Sequence, residues 1–141
     1  MRCPRSPHSR RVALLRDAYQ GVKDIVHDER FVVGPGEGRH LDLGNFEALA
    51  TAPQTSGEFT LLQLQREPPD FGPPLQLHHH TAEAFYVLEG EYLMYIGNRK
   101  QLCPRGTFVY VPRNTPHSFK VVSAVRGKKL NLFSPAAMLF F

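Results

Sequence analysis

No tryptophan occurs in the sequence, and cysteine occurs twice, at Cys3 and Cys103. One thiol lies in a basic tail and the other in a strand-like segment. That pair excludes a disulfide scaffold and shows no metal-ligand spacing, so the expectation is two free thiols in a reducing, cytoplasmic setting. Long apolar runs are missing as well. The longest near the start is "VALL", Val12–Leu15, too short for the apolar stretch of a secretory signal. Nothing approaches the length of a membrane span, so no membrane partner is expected. Acidic residues are absent from the opening "MRCPRSPHSRR", which carries Arg2, Arg5, Arg10 and Arg11. Without aromatic interleaving or a binding motif, this reads as a solvated basic tail and not as a nucleic-acid arm. The acids at Asp17, Asp24 and Asp28 argue against a transit peptide. Long helical patterns are also lacking. Val12, Leu15 and Tyr19 stand near helical spacing before Gly21, which predicts at most a short helix in an irregular segment over residues 1–30.

The chain is instead rich in strand formers and turn formers. Ten Phe and five Tyr suit strands, and twelve Pro with eleven Gly imply frequent turns. The hydrophobic fraction, 42% of 141 residues, is enough to build one core. Short strand candidates begin at Phe31–Val33 and continue at Arg39–Leu43, Phe46–Thr51, Phe59–Arg66, Leu75–His79, Ala84–Leu88, Tyr92–Ile96, Arg99–Cys103, Phe108–Val111, Ser118–Val122 and Lys129–Phe133. Turn clusters such as "GN", "PPDFGPP", "PRG" and "PRNTP" separate them. The pattern predicts an all-β sandwich or small barrel over residues 31–141, and the missing helices exclude a βαβ fold.

Alternation along strands sorts the side chains by face. In "TPHSFKVV", His117 shares a face with Phe119 and Val121, and the apolar pair makes that face the buried one. A buried unpaired imidazole costs about 1–3 kcal/mol. A backbone carbonyl could satisfy a lone histidine. Here Gln76 and His78 share a face, and Glu83 shares one with Phe85 and Val87. Four ligand-type side chains, Gln76, His78, Glu83 and His117, converging in an apolar barrel point to a metal ion, which neutralises the carboxylate and uses both imidazole lone pairs.

The spacings Gln76-x-His78-x4-Glu83-x6-Gly90 and Gly106-x5-Pro112-x-Asn114-x2-His117 resemble the two motifs of the cupin superfamily, G-x5-H-x-H-x3/4-E-x6-G and G-x5-P-x-G-x2-H-x3-N. The runs "EAFYVLEGE" and "FVYVPRNTPHSF" are similar to those of small single-domain cupins of the quercetin-dioxygenase-like type. The resemblance implies a double-stranded β-helix, the jelly-roll barrel, and one divalent transition metal. Gln76 stands where such cupins have their first metal histidine, Asp70 where the first motif has its leading Gly, and Asn114 where the second has its middle Gly. Asn tolerates the left-handed backbone that the Gly supplies. An alternative register would pair His78 with His80, but the Glu83-x6-Gly90 spacing favours Gln76 with His78. His79 then points away, and His80 begins a turn.

An amide in place of an imidazole lowers affinity for Ni, Cu and Zn more than for Fe or Mn. Iron or manganese is therefore the favoured ion, with Ni, Zn and Cu open. His78, Glu83 and His117 resemble the two-histidine, one-carboxylate set of non-haem iron sites. The resulting expectation is a dioxygenase-type oxidoreductase acting on a small aromatic or enol-bearing compound. In it Glu83 is the candidate general base, and Phe85, Phe108, Tyr110 and Phe119 form the pocket walls. Two alternatives stand beside it: a metal-dependent isomerase or cyclase, and a small-ligand-binding barrel whose metal site has degraded. The segment Phe85–Leu88 is apolar on both faces and needs a cover, which a second layer of the same chain or a second subunit would supply; the resemblance to small cupins, which often pair, implies a homodimer.

Overall fold

The structure, a computed structural model, describes residues 30–41 and 45–137. The expected tail or short helix over residues 1–30 falls almost wholly outside them. Among the described residues nine strands follow in order: β1 Arg39–Leu41, β2 Phe46–Ala50, β3 Thr60–Glu67, β4 Ala82–Glu89, β5 Glu91–Ile96, β6 Arg99–Pro104, β7 Phe108–Val111, β8 His117–Val121 and β9 Gly127–Ser134. No helix occurs among the described residues, and none there is long and apolar enough to cross a membrane. Every strand pair is antiparallel. One sheet has six strands in the order β1-β2-β3-β9-β4-β7, and the other has three in the order β6-β5-β8.

The two sheets share one core. Leu62, Leu64, Phe85, Val87, Val109, Val111 and Phe133 from the large sheet meet Tyr92, Met94, Cys103, Phe119 and Val121 from the small one. The alternation of strand side chains carries this directly. In β8 the odd positions His117, Phe119 and Val121 are buried and Ser118 and Lys120 are not. In β4 Tyr86 is exposed between buried Phe85 and Val87. Burial of one large apolar side chain is worth about 1.5–3 kcal/mol. The matched rows on the two inner faces therefore hold the sandwich closed.

Two expected strands do not form. Phe31–Val33 joins neither sheet. Leu75–His79 makes a single bridge, at Gln76 opposite His117. Pro73 and Pro74, which have no amide hydrogen to give, lie between two points where the chain bonds to β8: Asp70 and Phe71 with Val121, and Gln76 with His117, which exchange both backbone bonds at 2.8 and 2.9 Å. A further bond, from the Asn114 amide to the His78 carbonyl at 2.8 Å, pins the same segment to the loop before β8. In that loop Asn114 takes φ 62°, the left-handed turn expected of it.

A bulge ends β3. Leu62 and Leu64 face inward, and continued alternation would send Arg66 after them. Instead Arg66 adopts φ 54°, the register shifts between Leu64 and Glu67, and Glu67 becomes the buried residue. Re-aiming a side chain is what such a bulge does.

Candidate metal centre

The site forms where the two sheets meet at one end. Glu83 comes from β4, which lies between β9 and the edge strand β7 in the large sheet. His117 is the first residue of β8 in the small sheet. His78 arrives on the docked segment between β3 and β4. Glu83 and His117 are 2% and 3% exposed, while the His78 side chain is 27% exposed. One donor atom from each of the three lies within 4.8 Å of the others. Among the described residues they are the group of histidines, cysteines and acids able to hold a metal ion.

The hydrogen bonds define which atoms are free. Nδ1 of His117 lies 2.9 Å from the Thr115 carbonyl, an acceptor, so Nδ1 carries the proton. In a neutral ring Nε2 is then a bare lone pair, yet it faces Oε2 of Glu83 at 2.7 Å. Nε2 of His78 approaches the same Oε2 at 3.2 Å, is itself buried, and makes no hydrogen bond. Three atoms able to offer lone pairs thus converge on one point. A cation between them resolves the arrangement, and without one a proton must serve. The His117 titration reflects that demand. Burial opposes its charged form, but the Glu83 hydrogen bond, the Thr115 carbonyl and the Glu83 charge outweigh burial and raise its pKa. The donor set, two imidazoles and one carboxylate with one buried nitrogen left without a hydrogen bond, fits a divalent transition metal.

A fourth participant was not legible in the sequence. Asn131 of β9 donates from Nδ2 to Oε1 of Glu83 at 3.1 Å. The carboxylate is thereby oriented, with Oε2 turned to the imidazoles. Hydrophobicity alone would send Leu130 and Leu132 inward in "KKLNLF". The strand does the reverse and buries Lys129, Asn131 and Phe133. The available signal was Phe133, whose parity with Asn131 places both on one face.

The remaining expected residues divide. Gln76 is half-buried and sits directly across the bridge from His117, which sets both side chains on one face. His79 and His80 are exposed, and His79 Nδ1 meets Asn114 Oδ1 at 2.8 Å, away from the cluster. Phe85 and Phe119 are buried, their rings 6.2 Å apart, and Phe85 stands 6.2 Å from the His117 ring. Phe108 and Tyr110 are a correction. They are 64% and 59% exposed, because β7 turns Val109 and Val111 inward and so sends its aromatics outward. Phe133 takes their expected place at the site, its ring 5.7 Å from His78.

Comparison with known proteins agrees with this geometry. Residues 63–131 match the cupin domain family. The chain is 34% identical over 96 residues to quercetin 2,3-dioxygenase of Bacillus subtilis, a stretch covering 66% of this chain and 28% of that protein. It therefore spans about a quarter of that relative's length. Among solved structures it resembles a predicted oxalate decarboxylase from Thermotoga maritima, with TM-score 0.64 and 17% identity over 74% of this chain and 99% of the other. It also resembles the polyketide cyclase RemF from Streptomyces resistomycificus, with TM-score 0.59 and 18% identity over 74% and 79% of the two chains. These two likenesses concern the fold. The cupin-domain match over residues 63–131 and the 34% identity to the dioxygenase, taken with the antiparallel two-sheet barrel and the histidine–glutamate–histidine cluster, identify the chain as a small cupin protein.

Proposed function

We propose that this cupin is a metal-dependent enzyme of small-molecule chemistry, of dioxygenase type, acting on an aromatic or enol-bearing compound. The observation that carries the reading is the convergence of His78 Nε2, His117 Nε2 and Glu83 Oε2 on one buried point. His78, Glu83 and His117 would hold the ion, with the Gln76 amide as a fourth, weaker oxygen donor. An iron or manganese ion there would supply Lewis acidity for a ligand oxygen. The protein's own part is to orient Glu83 through Asn131, to exclude water with Phe85, Phe119 and Phe133, and to offer Glu83 as the base for a substrate hydroxyl. The likeness to quercetin 2,3-dioxygenase supports the oxygenase class.

Gln76 supports a second reading. An amide where a cupin metal histidine is expected suits a site that works as a Lewis acid without consuming oxygen, in an isomerase or cyclase, and the fold is shared with a polyketide cyclase. The proposal extends to a homodimer, supported by exposed Tyr86, Phe108 and Tyr110 on the outer face of the large sheet, and to a cytoplasmic setting, supported by the free, buried Cys103. The basic tail is proposed to lie outside a barrel domain covering residues 31–141.

The test is metal content followed by oxygen uptake. Protein purified without added metal is expected to contain iron or manganese or to take either up stoichiometrically, and to consume oxygen with a flavonol. Failure of Fe, Mn, Ni and Zn all to bind would sink both enzyme readings. Turnover of an enol substrate without oxygen uptake would select the second. Sedimentation at the mass of one 16.0 kDa chain would remove the dimer.

A further inference from the structure

Among the described residues, two buried side-chain atoms make no hydrogen bond: Nε2 of His78 and Oδ1 of Asn131. Buried polar atoms are nearly always paired, so each calls for a partner from outside the chain. Both belong to one row of polar groups. Oε2 of Glu83 faces the His78 and His117 nitrogens at 3.2 and 2.7 Å, and Oε1 accepts from Asn131 Nδ2 at 3.1 Å. A metal ion accounts for the His78 nitrogen. It does not account for the Asn131 oxygen, which needs a hydrogen donor.

The chemistry of the pair fixes which way the amide points. An ionised carboxylate only accepts, so Asn131 turns Nδ2 to Glu83 and leaves Oδ1 facing elsewhere. Strand parity aims the side chain into the barrel with Lys129 and Phe133. Its neighbours across the two ladders are Leu62 on β3 and Phe85 on β4. Both are buried, and neither side chain has a hydrogen to donate. A resident water needs several polar partners, and these two side chains offer none.

Orienting Glu83 does not require this oxygen, because a side chain that only donates would serve the carboxylate as well. An amide brings an acceptor with it, and an acceptor left bare in a residue only 5% exposed is destabilising. A ligand that brings a donor to that oxygen turns the cost into selectivity, since an analogue without the donor leaves it unpaired.

We propose that Asn131 is a specificity-determining residue whose Oδ1 accepts a hydrogen bond from the ligand held at the metal centre. The ligand class that follows is a compound with a free hydroxyl beside the oxygen that reaches the ion, such as a catechol or a hydroxy-enol, in preference to its hydroxyl-free analogue. This rests on the metal reading above and adds a contact that the two histidines and Glu83 do not supply.

The test uses protein saturated with Co2+ under anaerobic conditions. Catechol is the probe with a neighbouring hydroxyl and 2-fluorophenol the similarly sized probe without one, and both affinities are read from the visible spectrum of the cobalt protein. The wild type is expected to favour catechol. Any preference that comes from the metal alone is common to wild type and variants, so the ratio of the two affinities isolates Asn131. Asn131→Leu is expected to lower that ratio by roughly tenfold, the scale of one hydrogen bond lost inside a buried site. Asn131→Asp keeps an oxygen acceptor and loses the amide donor to Glu83, and is expected to retain the wild-type ratio. A residue that did no more than orient Glu83 would move Co2+ affinity in both variants and leave the ratio alone. A ratio unchanged in Asn131→Leu, or lost equally in Asn131→Asp, overturns the proposal. Should Asn131→Leu not fold, Asn131→Ala takes its place and is read the same way. A wild-type protein that takes up no Co2+ overturns the metal reading and this one with it. One that binds Co2+ but neither probe, or both with equal affinity, overturns this one alone.

Discussion

At the residue scale, the site is a matter of which nitrogen is left bare. His117 has Nδ1 committed to the Thr115 carbonyl and Nε2 aimed at Glu83, and His78 has a buried Nε2 with no hydrogen bond. His79, adjacent in sequence, is exposed and bonded to Asn114 instead. His117→Ala is therefore expected to abolish metal binding, and His79→Ala to leave it unchanged. Asn131→Leu removes the group that orients Glu83 and is expected to weaken metal affinity about 10–100-fold, the usual size for a partner that holds a ligand in place. Gln76→His is expected to tighten binding. Isothermal titration with Mn2+ and Zn2+ checks all four, and equal damage from the His79 and His117 variants would refute the assignment. Of the candidate site, His78, Glu83 and His117, which meet in the structure, were legible because strand parity and the motif spacings agree on them. Asn131 was hidden because it occupies an inward position between two leucines that look better suited to it.

At the element scale, β9 and the end of β3 depart from simple patterning. Alternation reads β4, β5 and β8 correctly because their inward faces are apolar, apart from the ligands. In β9 the inward face carries a lysine and an asparagine, each matched by a partner on another strand, Glu67 and Glu83. Pairing across strands overrides hydrophobicity there, and no local pattern reports it. The aromatic side chains of β7 mislead in the opposite way: Phe108 and Tyr110 are the bulkier residues, yet the valines between them fill the core. The Gly127 position offers a direct test. It lies across from Glu67 and against Tyr92, so Gly127→Ala is expected to destabilise the protein by about 1–3 kcal/mol through overpacking. The loss would be read as a lower urea midpoint at constant slope. An unchanged midpoint would show that β9 has room to spare.

At the scale of the whole molecule, the buried charges make stability depend on pH. Burial pushes Lys129 down to about 8, against the pull of Glu67 and Glu83. Unfolded, the lysine titrates near 10.5, so between pH 8 and 10 the unfolded chain holds more protons. Stability must then rise with pH over that window on account of this residue. Burial raises the Cys103 thiol, and burial with Glu67 raises the Tyr92 hydroxyl. Both act in the opposite sense, but equally in a variant that lacks only the lysine. Relative to Lys129→Met, the metal-free wild type is expected to gain stability from pH 8 to 10, measured as the difference in urea midpoints. A difference that stays flat or shrinks would contradict a Lys129 whose pKa burial has lowered.

The sequence by itself determined the all-β class, most of the strand positions, and His78, Glu83 and His117, the three residues that meet in the candidate metal centre. Periodic burial and motif spacing are local, and local patterns survive without knowledge of the fold. Tertiary structure decided the rest. It took the Leu75–His79 segment out of the sheet, leaving it a single bridge, at Gln76 opposite His117. It turned Phe108 and Tyr110 outward, and it placed Asn131, Glu67 and Lys129 inside. The burial of those three polar groups is tolerable only because partners distant in the chain meet them there, and which partners meet is a property of strand order and register.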